Sequence, residues 1–429
     1  MSQPNECKHS DYKLCFKLKQ HTPIIHFQAD QKGATLRATE LKPKLDRFLI
    51  KELKLTEIND KDKKVPKKEY KSWFIGRGKE QLALDYKVRI EPNYNTKEGI
   101  PENNALYFAS RKPREMSQQE FDLTKKWFKT SDKIFNLTIL CLNKELRDKI
   151  QNYFASFLVK INFGTRQNKG FGSFYLVKNT LGYKLPDDAF HQSLSTYLYA
   201  TYKNEKSIDI MKHIEVIYSL MKTGINFPNH PPIKDENGKA IKNARGKSIP
   251  NLKIRGENSS YYKSYLFLYM LQQTPKIGNE KRFIKENFFR PNLRLADNGI
   301  QKKYVRALLG VGEHVEFKDE RRGVIKYNSD EVKRFKSPIT FKIIDNQLFI
   351  IAEDICKSKI YGKSFKFKHT FGDNEMIKPI TIPTRNEFDL NKFLLSFADY
   401  FNTLEVTDKN LFDKKISKAK KAKLEKGIK

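Results

Sequence analysis

The sequence predicts an α+β fold of two domains. Segments that alternate apolar and polar residues, as half-buried strands do, are interspersed with segments of helical spacing. Their order is irregular, which excludes a chain of repeating β-α units. The length of 429 residues exceeds what one typical core organises. A small antiparallel sheet with helices on one face is the expected first half.

Residues 12–19, YKLCFKLK, alternate apolar and basic and read as the first strand. A helix follows, with Pro43 expected in its first turn and Leu45, Phe48 and Leu49 as its apolar stripe. The lysine-rich stretch 55–80 reads as an exposed loop. LDYKVRIEP (83–92) and FNLTILCL (135–142) read as strands, and 144–163 as a helix through Leu146, Ile150, Phe154 and Phe157. A glycine-rich loop and the strand SFYLVKN close this half.

The boundaries predicted are 1–185, 186–410 and a basic tail, 411–429. Residues 190–222 read as helical, ending near Gly224. A polar excursion with an Asn237-Gly238 turn follows, then a helix over 259–273 with a serine start. Residues 337–351 read as strand, Asp-Asn turn, strand. The tail, KKISKAKKAKLEKGIK, reads as solvated and mobile.

Lys and Arg number 83 against 50 Asp and Glu, a net charge of +33. Self-repulsion of that size destabilises a compact chain that has no anionic partner. Nucleic acid is the leading partner, because neutralising phosphates releases counterions; an anionic membrane surface is the competitor. No apolar run approaches the roughly 20 residues of a membrane span. The first residues, MSQPNECKHSDYK, lack the apolar core of a signal peptide. The four cysteines are scattered without a CxxC pair, which argues against zinc and against a disulfide scaffold and points to a cytoplasmic, reduced setting. No cofactor motif is present. The only GKS, Gly246–Ser248, has Ile241 where a phosphate-binding loop needs its first glycine.

NFGTRQNKGFGSFYLV (161–176) carries the clearest chemistry. Gly164, Gly170 and Gly172 permit positive φ and close approach of another backbone, and Arg166 and Lys169 add positive charge. Backbone N–H groups and two cations form a cradle for phosphates. A tight turn with solvated charges is the alternative.

This loop resembles the glycine-rich loop of the RAMP superfamily, the RNA-binding proteins of CRISPR systems, with Thr165 intervening before Arg166. TLRATELKPKLDRFL (35–49) is similar to the family's N-terminal basic segment, with Arg37, Lys42 and Arg47 at the basic positions. YVRALLGVGEH (304–314) and RFKSPITFKII (334–344) resemble the second half of the head subunit of type III-B (Cmr) effectors, through Arg306, Gly310, Ser337, Pro338 and Phe341. The resemblance implies two ferredoxin-like (RRM-like) domains with helical and loop insertions. It implies a non-catalytic subunit that binds CRISPR guide RNA and target single-stranded RNA beside other RAMP subunits, with no membrane role. Arg37, Lys42, Arg47, Gly164, Arg166, Lys169, Gly170 and Gly172 are then the RNA-binding residues.

Two other functions stay open: an endoribonuclease that processes repeat RNA, and a nonspecific basic RNA-binding protein. Metal-independent cleavage needs a general base and acid. The candidates are His21, His26, His191, His213, His230, His314 and His369, of which His26 lies beside the basic segment. The acidic pairs in EDIC and GDNE lack metal-site spacing.

Overall fold

The computed structural model describes residues 9–25, 35–59, 62–78, 82–91, 97–99, 117, 128–193, 196–227, 230–242, 248–251, 256–289, 299–312, 315–318, 323–327, 334–353, 360–371 and 374–428. The chain divides into two compact units: Met1–Lys212 with Thr340–Ile351 and Gly427–Lys429, and His213–Ile339 with Ala352–Lys426.

In chain order, β1 (Lys13–Gln20) leads to α1 (Ala38–Glu52), the hairpin β2 (Thr56–Ile58) and β3 (Lys64–Pro66), β4 (Lys87–Ile90), and the short ladder β5 (Lys97–Gly99) and β6 (Phe128–Thr130). Then come β7 (Phe135–Leu140), α2 (Lys144–Lys160), β8 (Phe174–Leu176), α3 (Pro186–Ser193), β9 (Thr196–Thr201) and α4 (Ser207–Lys222). The first sheet is ordered β4-β7-β1-β8 with antiparallel pairs. Its even β1 residues Leu14, Phe16 and Leu18 share a buried core with Leu137 and Ile139 of β7, Leu45 and Leu49 of α1, and Ile150 and Phe154 of α2. The Phe16 and Phe154 rings stack at 4.2 Å. Asn143 starts α2, its side chain accepting the Leu146 N–H at 2.9 Å.

The chain continues through β10 (Ile225–Phe227), β11 (Ser260–Tyr262), α5 (Tyr265–Gln273), β12 (Ile277–Asn279), α6 (Glu280–Ile284), β13 (Gln301–Lys303), β14 (Glu316–Lys318) and β15 (Gly323–Tyr327). It ends with β16 (Ile339–Ile344), β17 (Gln347–Ala352), β18 (Ser364–Phe371), β19 (Asn374–Thr381), α7 (Leu390–Thr403), α8 (Leu411–Ala419) and β20 (Glu425–Ile428). A second four-stranded sheet has the order β16-β17-β9-β20. The chain therefore runs strand-helix-strand-strand-helix-strand twice, as β1-α1-β4-β7-α2-β8 and as β9-α4-β16-β17-α7-β20. In both sheets the spatial order is second, third, first, fourth.

The second unit holds a six-stranded sheet, β12-β13-β19-β18-β15-β14, parallel from β12 to β19 and antiparallel beyond. Tyr265 of α5 packs between Phe393 and Tyr400 of α7, at 5.7 and 4.7 Å. Asp413 of α8 is buried, and accepts hydrogen bonds from the Ser260, Tyr262 and Thr407 hydroxyls and the Lys409 N–H.

Several expectations are corrected. α1 begins at Ala38, so Pro43 lies inside the helix rather than in its first turn. The 190–222 helix is broken by β9, whose TYLYAT is aromatic and β-branched and pairs with β17. Ser260–Tyr262 is a strand, and Ser264 is the cap of α5. The 55–80 stretch contains a hairpin and buries Trp73 and Phe74. The basic tail is folded: α8 and β20 form, and Ile416, Ala419, Ala422 and Leu424 are buried. Their apolar spacing is embedded among lysines that remain outside. Cys15 is disulfide-bonded, with its partner outside the described residues, whereas Cys141 is a free, buried thiol.

Candidate nucleic-acid interface

The glycine-rich loop joins α2 to β8, and its close neighbour is the protein's own chain. Gly164 has φ +79, and a Cβ there would lie 2.6 Å from the Ile25 carbonyl oxygen. Gly172 has φ +69, and a Cβ would lie 1.8 Å from the Phe163 carbonyl oxygen. The Thr165 N–H bonds the Ile25 carbonyl at 2.7 Å, and the Gly172 N–H bonds the Pro23 carbonyl at 2.8 Å. The Phe163 N–H closes the loop onto the Gly172 carbonyl at 2.9 Å. The Thr22 hydroxyl donates to the Gly170 carbonyl at 2.6 Å and accepts the Ser173 N–H at 2.8 Å. The glycines thus let the loop clamp the segment that leaves β1.

Within that frame Arg166 is held at φ +57, in the left-handed region that non-glycine residues avoid. The Lys169 N–H bonds the Arg166 carbonyl at 2.9 Å, which fixes the turn between the two cations. Both are half-buried. Asn162 braces the loop from below, donating to the Gln167 carbonyl at 2.7 Å and the Phe341 carbonyl at 2.8 Å. Lys342 is fully buried, and its Nζ donates to the Ile161 and Phe174 carbonyls at 2.9 and 3.0 Å. Burial, reinforced by Lys44, holds its pKa well below the ordinary lysine value.

Arg37, Lys42 and Arg47 are not gathered on one surface. Lys42 and Arg47 are five residues apart on α1, which turns them about 140° from each other around the helix. Lys42 is used inside the fold: its Nζ bonds Asp46 at 2.8 Å and the Leu84 carbonyl at 2.9 Å, and lies 4.3 Å from the Tyr86 ring centroid. Arg47 is exposed, and half-buried Arg37 occupies the N-cap position. The α1 side chains that reach the loop are Glu40, which accepts the Gly164 N–H at 2.8 Å, and Lys44, which donates to the Asn162 carbonyl at 2.9 Å. Sequence reading passed over both, because only tertiary folding brings them there.

In the second unit Arg306 pairs with the buried Glu280 and lies 4.8 Å from the Phe317 ring. Lys222 donates to the Leu309 and Gly310 carbonyls at 3.1 and 2.7 Å, and burial pushes its pKa down to about 8. The Tyr218 hydroxyl donates to the Leu309 carbonyl at 2.8 Å. Arg306 and Gly310 thus take part in the packing of this unit.

Of the histidines, His26 and His314 lie outside the described residues, as do parts of the EDIC and GDNE pairs. His21 is buried, and its Nδ1 accepts the Asp345 N–H at 2.9 Å. Burial is the main cause that takes its pKa down to about 3. Among the described residues no group of three or more His, Cys, Asp or Glu is placed to hold a metal ion.

The comparisons with known proteins agree with the resemblance. The family model of the Cmr1 N-terminal domain matches residues 11–225, and that of the Cmr1 C-terminal domain matches residues 261–422. The crystal structure of Cmr1 from Pyrococcus furiosus in its apo form is similar at 11% identity and a TM-score of 0.40, over 90% of this chain and 96% of that one. No curated protein matches the chain. On the span of the two family models, the chain belongs to the Cmr1 family, RAMP subunits of the multi-protein type III-B CRISPR effectors.

Proposed function

We propose that the chain holds RNA within its effector, binding guide RNA or the single-stranded target, and that it acts by binding rather than by cutting. The observation that carries this reading is the glycine-rich loop. Internal hydrogen bonds fix its frame, and Arg166 stays in a backbone region that costs on the order of 1 kcal/mol or more. Strain maintained at a cation beside a second cation is the pattern of a preformed phosphate site. The net charge of +33 supplies the sequence-independent attraction. No described helix is long and apolar enough to cross a membrane, and we place the working site in the cytoplasm.

The test is RNA binding over a series of salt concentrations by wild type and by Arg166→Ala with Lys169→Ala. The variant should bind about tenfold more weakly, and its salt slope should be shallower by about 1, as expected for two lost single-strand phosphate contacts. Equal affinity and slope would overturn the loop assignment. Incubation of the purified chain with hairpin repeat RNA tests the non-catalytic part. Discrete products that vanish in His26→Ala would replace this reading with the endoribonuclease one.

A further inference from the structure

Besides the glycine-rich loop, the first unit holds a cavity of about 600 Å³, in the size range of small-ligand sites. It lies between the β1–β8 edge of the first sheet and the turn that joins β16 to β17. His21, Tyr175 and Ile344 line it and are buried. Tyr183 lines it half-buried, its ring 6.1 Å from that of Tyr175 at an interplanar angle of 65°. The wall is therefore aromatic and apolar, which suits a flat ring.

His21 supplies a directional group. Its Nδ1 accepts the Asp345 N–H at 2.9 Å, so the proton of the neutral imidazole sits on Nε2. That nitrogen is buried and meets no hydrogen-bond acceptor among the described residues. A buried donor without an acceptor is costly, and a ligand oxygen or ring nitrogen in the cavity relieves that cost. Charge narrows the ligand further. Lys19 and Asp345 both line the cavity and pair at 2.7 Å, so their charges cancel. Exposed Lys178 is left as one cation in excess. An aromatic hollow with one surplus positive charge matches a planar heterocycle that carries one anionic group. A cluster of phosphates would need more cations, and a purely apolar ligand would need none.

We propose that this cavity takes one nucleotide of the bound RNA, turned out of its strand, with the base on Tyr183 and the phosphate at Lys178. The inference rests on the RNA-binding reading above and gives that RNA a base-holding subsite. β8 leads from the glycine-rich loop to the cavity. At one end the Ser173 carbonyl accepts the His21 N–H at 2.8 Å, and at the other the Val177 N–H bonds the Lys17 carbonyl at 2.9 Å. This extended stretch spans about 13 Å. A single strand whose phosphates lie on the loop therefore reaches the cavity within a few nucleotides.

The experiment uses the full chain and a fluorescein-labelled single-stranded RNA of mixed sequence. Wild type, Tyr183→Leu, Tyr183→Phe and Lys178→Ala are titrated over a series of salt concentrations. Tyr183→Leu should lose about fivefold or more in affinity at an unchanged salt slope, because stacking of a base on an aromatic ring involves no charge. Tyr183→Phe keeps the ring and should bind as wild type. Lys178→Ala should make the slope shallower by about 0.7, for one single-strand phosphate contact. Its thermal midpoint should stay at the wild-type value, because the side chain is exposed. RNA containing 4-thiouridine should crosslink to the peptide that contains Tyr183. Wild-type affinity in Tyr183→Leu, an unchanged slope in Lys178→Ala, or crosslinks confined to other peptides would overturn the cavity assignment and leave RNA binding by the loop intact. AMP and UMP distinguish the source of the nucleotide. If they bind wild type but not Tyr183→Leu while RNA binds both alike, a free nucleotide is the occupant and the assignment to the strand falls. Absence of RNA binding by the wild type would instead overturn the reading on which the inference rests.

Discussion

Glu40 Oε1 accepts the Gly164 N–H at 2.8 Å and also binds the Lys44 ammonium at 2.6 Å. One carboxylate of the first helical turn therefore tethers α1 to the glycine-rich loop.

Glu40→Ala should cost about 1–3 kcal/mol, because it strips a half-buried N–H of its acceptor. Glu40→Gln keeps the acceptor oxygen and should lose less. Urea denaturation of both variants measures the difference. Equal losses would mean that the Gly164 contact contributes nothing beyond the Lys44 ion pair.

Glycines at positive φ differ in what surrounds them. At Gly172 an added Cβ would meet the Phe163 carbonyl at 1.8 Å, whereas at Gly76, with φ +57, nothing lies within 4 Å. Gly76→Ala should therefore cost only the left-handed backbone penalty, about 1 kcal/mol. Gly172→Ala adds a clash that the loop cannot relieve without breaking its closure, so it should cost more than about 3 kcal/mol or prevent folding. Thermal melts and soluble yields of the pair give the comparison, and similar losses would contradict the close packing at Phe163.

The α+β class, the helix through Leu146, Ile150, Phe154 and Phe157 and the Asp345-Asn346 hairpin were legible in the sequence because each depends on local spacing or a turn. β9 was not. Its TYLYAT lies between two helical runs, and the strand that makes it a strand, through the Tyr199–Phe349 register, comes about 150 residues later. The glycine-rich loop was visible as glycines and charge, but its immediate neighbour proved to be the chain's own Pro23 and Ile25. Lys42 matched a basic pattern and is bound to Asp46 and Leu84, whereas Glu40 and Lys44 matched none and reach the loop.

His21 makes stability fall on acidification. Burial holds its folded pKa near 3, against about 6.5 in the unfolded chain. Between those values the unfolded state takes up a proton that the folded state refuses. The contribution is fully present above pH 6.5 and declines by up to about 1.4 kcal/mol per pH unit as the pH falls toward 3. His21→Asn keeps an acceptor for the Asp345 N–H and removes the titration. Denaturant midpoints between pH 7.5 and pH 4, taken as wild type minus variant, should show this slope; the carboxylates common to both chains cancel except Asp345, whose titration is linked to that of His21. A flat difference would show that the imidazole is not held neutral.

Lys342 predicts the mirror case at alkaline pH. Its folded pKa lies well below the ordinary 10.5, first through burial and then through Lys44. Between the folded value and 10.5 the unfolded chain carries one proton more, so stability should rise with pH toward 10.5 and level off beyond it. Lys342→Met fills the space and removes that rise. It also leaves the Ile161 and Phe174 carbonyls without their donor, at about 1–3 kcal/mol for each group left unsatisfied. The variant should therefore be less stable than wild type, and the gap should widen as the pH increases. Chemical denaturation at pH 7 and pH 9.5 decides it. A gap that narrows with pH would mean that Lys342 is held charged beneath the loop.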